Sequence, residues 1–83
     1  MKQEQTLGRA IATLRASKGI RQQDLAKKIG AGASHISLIE AGKREPSLAL
    51  LRKLAHALET PLDELLGLSQ KLASGQRITN GRH

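Results

Sequence analysis

Apolar residues recur at helical spacing from the start of the chain to about residue 67, and nowhere do they alternate with period two for long enough to make a strand. Leu7, Ile11 and Leu14, with Ala10 beside them, form one stripe. It predicts a first helix from about residue 5 that stops near Ser17-Lys18-Gly19, where a glycine suits the left-handed end of a helix. A second helix is expected from Gln22 to Ile29, with Leu25, Ala26 and Ile29 on one face and Gly30 at its end. A third opens after Gly32 and closes at Gly42, with Ile36 and Ile39 inward. The fourth, from Ser47 to Leu58, carries Leu48, Leu51, Leu54, Ala55 and Leu58 on its stripe, with Leu50 off it. Thr60-Pro61-Leu62-Asp63 reads as the start of a fifth: an N-cap, a proline at the first helical position and an acid completing a capping box.

The pattern thus predicts an all-α domain of five short helices over residues 5–68. Residues 69–83, SQKLASGQRITNGRH, are polar and carry Lys71, Arg77 and Arg82 without an acid. They are expected to form a flexible basic tail, with the last helix reaching at most Leu72.

Composition narrows the chemistry. The chain has no cysteine, which excludes disulfides, thiolate metal sites and a cysteine nucleophile. It has no Phe, Trp or Tyr, so the core must be built from Leu, Ile and Ala, and stacking of single-stranded bases on aromatic rings is excluded. His35, His56 and His83 have no ligand spacing, so no metal or other cofactor is expected. No Ser-His-Asp grouping or glycine-rich phosphate loop is present, and the chain does not read as an enzyme. Fourteen Lys and Arg against seven Asp and Glu leave a formal charge of +7, which favours a polyanionic partner. No apolar run has the length of a membrane span, and MKQEQTLGRA lacks the core of a signal peptide. A cytoplasmic, nucleoid-associated protein is expected.

The segment QQDLAKKIGAGASHISLI carries the most specific signal. Two helices crossing steeply over a tight turn need a small residue at the crossing, a glycine-compatible turn and matched apolar residues. Ala26, Gly30 and the seam of Leu25, Ile29, Ile36 and Ile39 meet those demands together, as in a helix-turn-helix. Advancing about 100° per residue along the third helix puts Ala33, Ser34, Ser37, Leu38 and Ala41 on one arc, with His35 at its edge. That arc is small and uncharged, whereas a merely solvated face normally carries Lys and Glu. Ala33, Ser34, His35, Ser37 and Leu38 are therefore the candidate base-reading residues, and Lys43 and Arg44, directly after the helix, are candidate phosphate contacts.

These residues carry a family resemblance. Gln22, Leu25-Ala26, Gly30, Ile36-Ser37, Ile39-Glu40, Gly42 and Pro46-Ser47 match the motif of the Cro/CI-type (Xre-like) helix-turn-helix regulators of phages and bacteria, over roughly residues 5–67. The resemblance implies a five-helix lambda-repressor-like domain, binding to double-stranded DNA as a homodimer on a palindromic operator, and no cofactor. It implies that Gln22 donates to the DNA backbone, with Arg21 adding charge at the same helix end in place of the usual Ser or Thr cap, at a cost of about 1 kcal/mol. It also implies a structural ion pair between Arg15 and Glu40, with a part-time phosphate contact by Arg15 as the other reading. One departure matters: the family often places Gln, Asn or Arg on the reading arc, and here only Ser hydroxyls and apolar groups are available. More of the discrimination is then expected from DNA shape.

Leu62, Leu65, Leu66 and Leu68 exceed what one short segment can bury in so small a core, and mark the fifth helix, with the end of the fourth, as the dimer interface. The function expected is that of a homodimeric transcriptional repressor. Two alternatives share the domain: an autoregulating antitoxin whose tail folds on a toxin, and a controller-type activator touching RNA polymerase.

Overall fold

A computed structural model describes residues 3–74, folded as five α-helices: α1 (Gln3–Ser17), α2 (Gln22–Ile29), α3 (Ala33–Glu40), α4 (Leu48–Ala57) and α5 (Leu62–Ser74). Among the described residues there is no strand. The most extensive pairing is α1 along α5, while α2 packs on α3 and α4, and α3 leans on α1. Ile11, Leu25, Ile36, Ile39, Leu54, Leu58 and Leu65 are fully buried at the centre, so each helix contributes to one shared core.

The ends of the helices repeat one device. At α1, α2 and α3 a glycine follows in left-handed conformation, and its own amide and the next one turn back on the last carbonyls. At α4 the same pair of bonds forms, Glu59 N–H to His56 at 3.0 Å and Thr60 N–H to Ala55 at 2.9 Å. Here the left-handed residue is Glu59, with φ of 53°. Ser47 caps α4, accepting from the Leu50 amide at 3.1 Å.

Four expectations are corrected. Leu48 opens α4 at the edge of the fold and is 61% exposed, whereas Leu50, off the expected stripe, packs against the core. Thr60 makes no capping box: its buried hydroxyl donates to the Leu58 carbonyl at 3.1 Å, tightening the α4–α5 turn instead. Leu65 is wholly buried between the helices of this chain, so it has no surface to give to the expected dimer interface. The last helix does not stop by Leu72. It runs to Ser74, and Ser69 is buried with its hydroxyl 3.0 Å from that of Thr6 on α1. The remainder of the expected tail, with Arg77 and Arg82, lies outside the described residues.

Candidate nucleic-acid interface

The site is built around α3, whose placement follows from the turn before it. Gly30 takes φ of 71°, and the Ala31 amide returns to the Ala26 carbonyl at 2.9 Å, which closes α2 and redirects the chain within three residues. The next helix begins at Ala33 after an extended Gly32. Ile36 and Ile39 go into the core, and the opposite arc is left outward: Ala33, Ser34, Ser37 and Ala41 are exposed and Leu38 is 38% exposed. His35 is half-buried at the edge. The expected reading arc is thus one continuous surface with no charged side chain on it.

The end of α3 positions the cations. Gly42, at φ of 78°, lets the Lys43 amide bond to the Leu38 carbonyl at 2.9 Å, holding the Lys43 backbone against the helix. Lys43 and Arg44 are both exposed there, with no ion pair among the described residues.

A polar cluster fixes the base of α3. The Glu40 carboxylate, only 6% exposed, accepts from Arg15 Nε at 2.7 Å and from a second Arg15 guanidinium nitrogen at 3.1 Å. The third Arg15 nitrogen donates to the Ile20 carbonyl at 2.7 Å, and Gln22 Nε2 donates to Glu40 Oε1 at 2.8 Å. The network joins the end of α1, the start of α2 and the end of α3, and satisfies a carboxylate that would be costly to bury alone.

The two expected phosphate contacts at the start of α2 differ from the sequence picture. The Gln22 side chain is half-buried and gives one Nε2 hydrogen to Glu40, which leaves its second N–H, beside the amides of the first turn, as a donor at this helix end. Arg21 is exposed, but its guanidinium pairs with Asp24 at 2.9 Å. The hydrogen bond from Arg21 holds the Asp24 carboxyl below its ordinary range. Arg21 takes the extended conformation of an N-cap without providing a cap bond.

Three residues that sequence reasoning passed over set the geometry. Gly8 is buried where α1 crosses the end of α3: a Cβ there would stand inside contact distance of the Ile39 carbonyl oxygen and 3.0 Å from that of Glu40. The signal was a lone glycine inside a helical pattern. Thr6 and Ser69 clamp α1 to α5, a pairing 63 residues apart with no local signature. The dimer candidates separate in the same way. Leu66 is 39% exposed, Leu62 is half-buried one turn before it, and Leu68 lines a hollow against Leu14 of α1. Among the described residues no group of three His, Cys, Asp or Glu could hold a metal ion, and no helix is long and apolar enough to cross a membrane.

This arrangement, two short helices across a glycine turn with the second presenting an uncharged arc beside exposed cations, defines a DNA-binding helix-turn-helix domain. Residues 11–65 match the Helix-turn-helix family model, and the chain belongs to that family. An uncharacterized HTH-type transcriptional regulator of Bacillus subtilis, YazB, is 40% identical over 58 residues, which cover 70% of this chain and 84% of the relative. The crystal structure of the clp gene regulator ClgR from Corynebacterium glutamicum superposes with a TM-score of 0.88 at 27% identity, covering 89% of this chain and 79% of that one. The restriction-modification controller protein C.AhdI from Aeromonas hydrophila superposes with a TM-score of 0.71 at 36% identity, covering 74% and 92%. The family and these relatives are regulators rather than enzymes.

Proposed function

We propose that the protein represses transcription as a homodimer bound to a palindromic operator, each copy laying the α3 arc in the major groove. The observation that carries this reading is the exposed surface of Ala33, Ser34, Ser37 and Leu38, free of charge and bordered by Lys43 and Arg44. Small side chains let the helix approach base edges, with Ser hydroxyls as donors or acceptors and Leu38 against a thymine methyl. The basic pair and the free amides at the start of α2 take phosphates on either side. Leu62 and Leu66, one turn apart on α5, supply the apolar surface for the second copy. Such a protein acts in the compartment that holds the DNA.

Likeness to a restriction-modification controller favours a second reading, in which the same dimer activates its own promoter. The domain is common to both, and the direction of regulation is read by placing a reporter behind the selected operator. The DNA-binding mode has its own test. Two subunits neutralising several phosphates predict a log–log slope of affinity against salt of about −4 to −8 on the selected duplex. A slope near zero would defeat it.

A further inference from the structure

The end of α2 and the last turns of α4 line an open cleft of about 690 Å³ at the end of α2 remote from Gln22. Lys28, Arg52 and Lys53 stand around it, and the side chain of none of the three has an ion pair or hydrogen bond among the described residues. Ile29 and Ala57 give it an apolar floor, and His56 adds a ring nitrogen at the wall. The lone carboxylate is that of Glu59, the residue whose left-handed backbone turns α4 toward α5. Three fixed cations therefore face one anion in a concave, partly apolar setting. A solvated helix surface normally interleaves the two signs.

We propose that this cleft is a second recognition surface, separate from the DNA interface, that takes an acidic segment of a partner protein with its carboxylates on Lys28, Arg52 and Lys53 and an apolar side chain on Ile29 and Ala57. Charge complementarity selects the occupant. The chain's own residues 75–83 carry Arg77, Arg82 and no acid, so their charge does not complement the cleft. A DNA duplex is about 20 Å across and presents its phosphates on a convex surface, too wide to enter between two packed helices, and it offers no aliphatic side chain to the floor. A single extended or helical peptide strand can enter, and its carboxylates reach the rim on flexible stems.

The test uses the full chain and a short labelled peptide of alternating Glu and Leu with Gly-Ser flanks, beside the same peptide with Gln for Glu and a selected duplex. At physiological salt the acidic peptide should bind and the Gln peptide should not, with amide shifts concentrated on the ends of α2 and α4. Arg52→Ala with Lys53→Ala, both exposed and outside the core, should weaken the peptide about tenfold and the duplex by less than about threefold. Glu59→Gln should tighten the peptide and leave the duplex unmoved. Peptide and duplex should bind together. Competition between them, shifts gathered on Lys43, Arg44 and the α3 arc, or equal losses for both ligands in the double variant would overturn the proposal. So would a peptide affinity that neither variant changes, which would leave this cleft a solvated surface.

Discussion

Glu40 concentrates the energetics of the site on one carboxylate, because three N–H donors from two side chains converge on an oxygen pair almost out of water. Arg15→Ala removes two of those donors, and strands the charge with Gln22 alone. Breaking a buried pair from one side costs up to about 5 kcal/mol. Arg15 is 18% exposed, which lowers the expected loss to about 3 kcal/mol, a fall in melting temperature of at least about 10 °C. Circular dichroism melting reads it, and an unchanged midpoint with weakened duplex binding would make Arg15 a phosphate contact instead. Asp24 poses the opposite case. It sits in the first turn of α2 and occupies the Arg21 guanidinium, both at the helix end proposed above to take a phosphate. Asp24→Asn should therefore tighten duplex binding several-fold at low salt, with the gain vanishing as salt rises, while removal of a favourable helix-end charge lowers the melting temperature slightly. Fluorescence anisotropy across a salt series separates the two effects. The Arg15–Glu40 pair was legible from the family motif, but the turn of Gln22 onto Glu40 was not. It joins positions 18 apart in sequence, and no local pattern predicts which partner a long amide chooses.

At the scale of helices, the pattern was readable wherever a glycine marked an end or an apolar stripe marked a face. Gly19, Gly30 and Gly42 announced three terminations, and the angular count along α3 found the exposed arc. The α4 end at Leu58 was read from the apolar stripe alone, because Glu59 takes the left-handed conformation that glycine takes elsewhere. Thr60 misled for a related reason: its hydroxyl had two possible roles, and the backbone turn at Glu59 brings it to the Leu58 carbonyl. Leu48 misled because periodicity identifies a face but not how far along the helix the core extends. Gly8 is the position where an element's own preference and the packing disagree. Alanine favours a helix by about 1 kcal/mol over glycine, yet a methyl at Gly8 meets the Ile39 carbonyl, a backbone atom that moves only with α3. Overpacking of this kind costs about 1–3 kcal/mol, so Gly8→Ala should lower the melting temperature and weaken duplex binding by tilting α3. A variant that melted higher and bound as well as the parent would show that the crossing has room.

The molecule as a whole is closed by its first and last helices, and this determines where it can be shortened. Periodicity placed the end of the ordered domain at residue 68, because Ser69 and Gln70 interrupt the apolar stripe. The fold uses that interruption: Ser69 faces inward to the Thr6 hydroxyl, and Leu72 beyond it covers the core edge. Removing residues 69–83 takes away the hydrogen bond, uncovers the flank of α1 and deletes the last turns of the most extensive helix pair, a loss of about 2–3 kcal/mol in a domain with little stability to spare. Removing residues 75–83 leaves every one of those contacts in place. The shorter deletion should melt within about 2 °C of the full chain and keep its operator preference. It should lose affinity only through the charge of Arg77 and Arg82, a loss that shrinks as salt screens it. The longer deletion should melt well below both and bind poorly at any salt, since α1 also holds α3 through Gly8 and Arg15. Melting curves and duplex titrations on the two truncations distinguish these outcomes. Equal stability of the two would mean that Ser69 and Leu72 contribute nothing to the fold.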